Sequence, residues 1–291
     1  MNGLLIAVVT GLIGMLGWGT GDYFASVGLN KKVSEEAGNF WLNFAGVSFC
    51  IVAFTLYTLL TGKSLEMPPL SPADILSIVV LAGMNFVAYL FFFKALKVGN
   101  LSVISSVFST YAAGAVLVSA LIFGEAIPAL RFVALGVVVA GVVMVAVADL
   151  RNFKRIKGIG FVIPAVLIFA VFFPFWDSIA RKGGSFVLVL LLDTVLLLLY
   201  FLYARLKGAK LVYKLTHIKP FLIGGVLTTI AALSVSWGYE HTDVPSVVSV
   251  VSSAVPVTSV FLGYMLLKER LTKTQYLGLV TIVAGVALLF L

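Results

Sequence analysis

Residues 102–109 read SVISSVFS and residues 246–253 read SVVSVVSS. A shift of 144 positions lays Ser102, Val103, Ser105, Val107 and Ser109 on Ser246, Val247, Ser249, Val251 and Ser253. The same shift puts Glu125 on Glu269, and Val139-Ala140-Gly141-Val142 on Val283-Ala284-Gly285-Val286. Upstream the register drifts. Asp22 meets Asp177 at a shift of 155, and Asn43 meets Asp193 at 150. Shorter connections in the second half account for that drift. Chance likeness between apolar segments does not keep serines, a turn acid and an Ala-Gly pair in step. The chain therefore reads as an internal repeat, with copies over residues 1–149 and 150–291.

Composition says what each copy is made of. The 291-residue chain is 61% hydrophobic and 11% charged, whereas a soluble globular protein carries about 25% charged residues. Ile75–Phe93 and Ile159–Trp176 contain no Asp, Glu, Lys, Arg or His. Runs of about 18 apolar residues are long enough to cross a bilayer core of about 30 Å. Ten such helices are expected, over 3–27, 35–61, 73–97, 101–123, 129–148, 158–180, 184–206, 218–240, 244–267 and 273–291. Helix starts are written at Ser71-Pro72-Ala73-Asp74, with a capping hydroxyl, a first-turn proline and an early acid. Thr272-Lys273-Thr274-Gln275 matches a capping box. The first run has no Lys or Arg ahead of it and more runs follow, so it reads as a retained helix rather than a cleaved signal.

The chain is thus predicted to be an all-α integral membrane protein of ten transmembrane helices. Five helices per copy is an odd number, so the second copy enters the membrane in the opposite sense. Two inverted five-helix repeats are an architecture of secondary transporters, with the substrate between the halves near the midplane.

Several function classes drop out. The net charge of +8 sits in short connections between apolar runs, not on a face for nucleic acid. Cys50 is the single cysteine, so no intramolecular disulfide forms. His217 and His241 lie far apart. No metal-ligand cluster, phosphate-cradling loop or nucleophile elbow is present, which argues against a metal, a cofactor and an enzyme.

Charge also orients the chain. The connections after spans 1, 3, 5, 7 and 9 hold 16 of the 20 Lys and Arg residues; the opposite side holds Lys63, Arg131, Arg181 and Lys182. Positive connections stay in the cytoplasm, so both termini are expected on the non-cytoplasmic side of the cell membrane.

The chain resembles the EamA branch of the drug/metabolite transporter superfamily. The resemblance rests on the two five-helix halves, on Trp18-Gly19 in the first span, and on Gly124-Glu125 and Lys268-Glu269-Arg270, each followed by a span with Ala-Gly. It covers nearly the whole chain. Pro256 keeps the family's proline in the fourth helix of the second half, and Ala112 departs from it in the first. The resemblance implies a transporter of small metabolites such as amino acids, sugars or drugs.

Polar groups inside a bilayer tend to face the bundle interior or a watery cavity. Asp193 lies about ten residues into span 7, after Leu190, Leu191 and Leu192; it is a candidate for substrate or proton handling, with a structural hydrogen bond as the alternative. Its counterpart Asn43 is also polar. Asp22 lies about 27 Å along span 1 at 1.5 Å per residue, beside Trp18, and either lines a cavity mouth or is an interfacial acid met by water or Lys31. Gly17 and Gly21 form a GxxxG that permits close helix approach. Asp177 sits between Trp176 and Arg181, and an i to i+4 ion pair is its simplest role. Pro164 and Pro174 are expected to interrupt span 6, and glycines span 1, marking paired broken helices.

Weaker candidates are Asn85 and Tyr89 on one face of span 3, Tyr111, and the serines Ser105, Ser109, Ser249 and Ser253, which either line a cavity or pack helices. Trp237 and Tyr239 offer aromatic surface to a substrate or belong to an interfacial belt. Glu125 and Glu269 read as helix-start acids. Gly136, Ala140, Gly141, Gly278 and Gly285 suggest packing surfaces, including one for a homodimer. The leading expectation is a secondary transporter, proton-coupled or facilitative, whose partners are a small molecule and the bilayer. The alternatives are a structural or sensory subunit, or an intramembrane lipid-modifying enzyme.

Overall fold

The computed structural model describes residues 2–30, 33–65, 67–124, 128–147, 157–268, 270 and 272–288, with the side chains of residues 131, 146 and 147 left aside. Among these, helix is the regular secondary structure throughout. The helices are α1 (Gly3–Leu29), α2 (Glu35–Thr61), α3 (Pro72–Val98), α4 (Leu101–Ser109), α5 (Tyr111–Ile122) and α6 (Ala129–Val147). The second half holds α7 (Ile159–Ala180), α8 (Ser185–Leu206), α9 (Leu215–Glu240), α10 (Pro245–Ser253), α11 (Val255–Leu266) and α12 (Lys273–Leu288). Eight segments are long and apolar enough to span a bilayer, counting α4 with α5 and α10 with α11 as one each. Shorter apolar helices lie over Phe132–Val145 and Lys273–Leu288. Lys31, Glu125 and Glu269 lie outside the described residues.

The caps read from the sequence form. Ser71 accepts from the Asp74 N–H at 3.3 Å while Asp74 accepts from the Ser71 N–H at 2.8 Å, with Pro72 in the first turn. Gln275 and Thr272 exchange the same pair of bonds at 2.8 and 3.2 Å. Each pair satisfies amide groups that a helix start otherwise leaves without partners.

The helix breaks lie elsewhere than expected. α1 runs unbroken through its glycines, and α7 runs unbroken through Pro164 and Pro174. A proline in a packed membrane helix removes one backbone bond, and neighbouring helices hold the rest in line. The chain breaks instead at Thr110 and at Ala254, 144 positions apart on the repeat's own shift. The local bonding is the same at both. Thr110 N–H donates to Val107 and Ala113 N–H to Thr110; Ala254 N–H donates to Val251 and Val257 N–H to Ala254. In the second half Pro256 withholds an N–H from the ladder. In the first, where Ala112 stands, the Thr110 hydroxyl bonds the Val107 carbonyl at 2.7 Å and competes with the helix for that acceptor.

Packing comes in matched pairs. α1 lies against α9 as α7 lies against α3; α2 against α9 as α8 against α3; α1 against α10 and α11 as α7 against α4 and α5. α2 meets α8, and α6 meets α12. The seams are close because glycine lets backbones approach. A Cβ on Gly17 would stand 2.7 Å from the Leu227 carbonyl oxygen of α9, and one on Gly21 would run into Thr228. At the α6–α12 seam, a Cβ on Gly141 would lie 2.7 Å from the Ile282 nitrogen, and one on Gly278 would lie 2.8 Å from the Gly141 carbonyl oxygen. Gly141, Gly278 and Gly285 thus form a packing surface within the chain, whereas a Cβ on Gly136 would meet nothing within 4 Å.

The connections gather at two ends. At one, Tyr213 accepts from the Ser34 N–H at 3.4 Å, Trp41 donates to the Leu211 carbonyl at 2.9 Å, and Lys97 pairs with Glu35 at 3.0 Å. At the other, Lys182 pairs with Asp74 at 2.7 Å, Glu240 accepts from the Ser185 N–H at 3.1 Å, and Thr242 donates to the Gly3 carbonyl at 3.0 Å. The outer surface is apolar. Leu59, Leu60, Leu121, Leu167 and Val280 are more than half exposed, as helices facing lipid require and a water-facing surface of this size does not tolerate.

Candidate functional site

A partly open cavity, with about 870 Å³ of free space counting its solvent-open mouth, lies among α1, α2, α3, α7, α8 and α9, bordered by the two helix breaks. Phe108 and Tyr111 flank the Thr110 break and Val255 follows the Ala254 break; all three line the cavity. Both copies of the repeat contribute to its wall. α6 and α12 contribute none of the lining residues.

Eight of the sequence candidates meet here: Trp18 and Asp22 from α1, Asn43 from α2, Asn85 and Tyr89 from α3, Tyr111 from α5, Trp176 from α7 and Asp193 from α8. Helical spacing explains each pair. Trp18 and Asp22, like Asn85 and Tyr89, stand four residues apart on one helix face. Asp22 is buried, and its carboxylate Oδ2 accepts from the Ser105 hydroxyl at 3.0 Å. Asp193 Oδ2 accepts from the Thr229 hydroxyl at 3.3 Å. Asn43 donates to the Asn39 carbonyl at 3.0 Å, one turn back in its own helix. The Trp176 indole N–H donates to Ser236 at 2.8 Å. That bond fixes one aromatic wall, because a buried indole N–H needs an acceptor and finds one.

Aromatic rings make up most of the remaining wall. Phe169, Phe172, Phe173 and Trp176 project from α7 at spacings of three and four, the stripe of one helix face. Phe173 stacks on Tyr111, centroids 4.8 Å apart and planes 14° apart, and lies 5.6 Å from Trp18. Phe172 and Trp176 are parallel within 8°. Leu42, Val189, Leu192, Leu196, Ala232 and Val235 complete the apolar surface, and Thr228 and Ser236 add hydroxyls. None of the lining residues is Lys, Arg or His. Among the described residues no His, Cys, Asp and Glu cluster suits a metal ion.

The other seven candidates, Tyr239 among them, stand outside the wall. Asp177 accepts from Arg181 Nε at 2.9 Å, so its i to i+4 pair forms and the carboxylate does not reach the cavity. Ser105 lies one step behind the wall, on Asp22. Ser109 bonds the Ser105 carbonyl and Ser253 the Val250 carbonyl, each inside its own helix. Ser249 shares a hydrogen bond of 2.7 Å with the Tyr239 hydroxyl. Trp237 is partly exposed and stacks on His241 at 4.3 Å, away from the cavity. The stripes thus divide: Ser109 and Ser253 turn back on their own backbone, as small polar side chains at a crowded helix crossing can, while Ser105 and Ser249 bond across to neighbouring helices.

Sequence reading passed over Thr228, Thr229, Ser236 and the phenylalanines of α7. The Phe169, Phe172, Phe173 and Trp176 stripe was visible as a periodicity. The threonines had no signal, since a hydroxyl inside an apolar helix is ordinarily satisfied by its own carbonyls.

Residues 5–147 and residues 156–291 each match the EamA-like transporter family. No curated protein matches the chain. A solved structure described only as "Crystal structure of protein" is similar at 22% identity, with a TM-score of 0.73, covering 97% of this chain and 95% of that one; it shares the fold.

Proposed function

The chain belongs to the EamA-like transporter family, and on that premise we propose that it is a secondary transporter of a small organic metabolite, such as an amino acid or drug-like compound, working as an exporter or facilitator. It is a multi-pass membrane protein. Its ten spans form two inverted five-helix halves, bounded near residues 149 and 150, that alternate access to a site between them in the cell membrane. One observation carries this reading. A single cavity draws its wall from both repeats, holds two carboxyl groups, and is bordered by helix breaks at corresponding places of the two copies. Broken helices at matched positions supply hinges for one half to rock against the other around a fixed site. The two-ended sorting of the connections supports crossings by α1, α2, α3, α7, α8 and α9, each of which then joins one end to the other.

Asp193 and Asp22 take the polar part of the substrate or carry a coupling proton. Asn43, Asn85 and Tyr89 orient the substrate, and Trp18, Tyr111 and Trp176 cover its apolar part. The test is uptake into proteoliposomes containing the purified protein, with a panel of small organic solutes. Saturable flux supports the reading. Absence of flux for every solute would favour a structural or sensory subunit. If Asp193→Asn leaves both rate and pH dependence unchanged, the coupling role of that carboxylate is lost.

A further inference from the structure

The charged side chains in the cavity wall are both acidic. Asp22 and Asp193 reach it from α1 and α8, each met by one neutral hydroxyl donor, Ser105 at 3.0 Å and Thr229 at 3.3 Å. No lining side chain is cationic. Three cations at helix ends are held there by acids: Lys97 by Glu35, Arg181 by Asp177 and Lys182 by Asp74. A substrate carboxylate would also look for free amide groups at the starts of α5 and α11. Three of the six first-turn positions offer none. Ala113 and Val257 N–H groups close back on Thr110 and Ala254, and Pro256 has none.

We infer that the occupant of this cavity is an organic cation with an aromatic or similarly flat apolar body, such as an aromatic amine or a quaternary ammonium compound. The inference rests on the transporter reading and names the substrate class of that same site. An ammonium group gains a charge-assisted contact with a carboxylate. It is also attracted to the faces of Trp, Tyr and Phe, with Trp strongest. Trp18 and Trp176 are both in the wall, and the Trp176 ring is held in place by Ser236 at 2.8 Å. An anion meets two carboxyl groups and a wall of ring faces, with no lining cation to answer it. A zwitterion places its ammonium well but leaves its carboxylate with only neutral donors such as Asn85, Tyr89 and Thr228 to replace its water, which costs binding.

The experiment uses the full chain, purified in detergent, and four probes that share one phenyl ring: phenethylamine, benzyltrimethylammonium, phenylalanine and 3-phenylpropionate. Calorimetric titration should show the two cations binding at least about tenfold tighter than the zwitterion and the anion, an advantage the ring and carboxylate contacts together can supply. Asp22→Asn and Asp193→Asn should each weaken cation binding several-fold, and Asp193→Glu should keep most of it. Gel filtration and thermal unfolding of each variant separate lost binding from lost fold. Equal or tighter binding of phenylalanine or phenylpropionate overturns the inference. So does cation binding that survives both Asn changes, or failure of all four probes to bind. Uptake of the same probes into proteoliposomes keeps the two readings apart. A cation that binds without crossing removes the transport reading and leaves the substrate class. Phenylalanine that crosses faster than either cation does the reverse.

Discussion

Ser105 donates its hydroxyl to the Asp22 carboxylate at 3.0 Å, joining α4 to α1. The corresponding residues of the second half are not joined in that way. Ser249 shares its hydrogen bond with Tyr239, and Asp177 accepts from Arg181. The repeat is symmetric in its helices and asymmetric in its charges. Asp22 reaches the cavity, and Asp177 is turned into an ion pair near a helix end.

Ser105→Ala should therefore slow substrate uptake several-fold, whereas Ser249→Ala should leave uptake near that of the unaltered protein. Both changes remove a buried hydrogen bond and should lower stability by about 1 kcal/mol or somewhat more. Uptake rates in proteoliposomes, set beside thermal unfolding of the same preparations, check this. Equal loss of uptake in the two variants would show that the asymmetry has no functional weight.

Gly46 stands behind the second carboxylate. A Cβ at that position would run into the Thr229 hydroxyl and lie 3.5 Å from Asp193 Oδ2. Gly46→Ala forces that hydroxyl away from Asp193, so it should act as Thr229→Val acts, lowering uptake and destabilising the protein by about 1–3 kcal/mol. The double variant should lose less than the sum of the two, because both changes remove the same contact. An additive result in a double-mutant cycle would place the effect of Gly46 elsewhere.

How far the sequence could carry this depended on which signals are local. The caps at Ser71 and Thr272 and the GxxxG of α1 are short-range and formed as read, and several helix ends, such as those of α2 and α3, lie within a residue or so of their reading. The acids were legible because a carboxylate in an apolar run is costly wherever it faces. Its destination was not legible: Asp22 and Asp177 align in the repeat, and tertiary packing sends one to the cavity and the other to Arg181. The breaks were misplaced because proline and glycine are the usual breakers, yet α7 absorbs two prolines. The actual break at Thr110 has neither and depends on a hydroxyl competing for one carbonyl. The repeat itself carried that answer, since Thr110 falls on Ala254, two residues before Pro256.

The α2–α9 seam offers a sharper stability test. A Cβ on Gly225 would collide with the Leu42 carbonyl oxygen, which is backbone and cannot swing aside, whereas a Cβ on Gly83 meets nothing within 4 Å. Gly225→Ala should cost several kcal/mol, of the order seen for severe overpacking. Gly83→Ala should be close to neutral. Thermal unfolding in one detergent ranks the pair, and a tolerated Gly225→Ala would mean that α2 and α9 are farther apart than the structure has them.

Orientation is the last expectation open to direct measurement. The connections after the odd-numbered spans carry 16 of the 20 basic residues. At the opposite end Arg181 and Lys182 are already held by Asp177 and Asp74, so that end presents even less uncompensated positive charge than its composition suggests. Short positive connections resist translocation, and both termini should therefore lie on the non-cytoplasmic side. An alkaline phosphatase fused after Leu291 should be active, and a fluorescent protein there should be dark. The same reporters inserted between Lys207 and Lys214 should give the reverse pattern. A fluorescent C-terminal fusion with an active phosphatase in the 207–214 connection would invert the assignment. The cavity and its two carboxyl groups would stay where they are, and only the side from which each is reached would change.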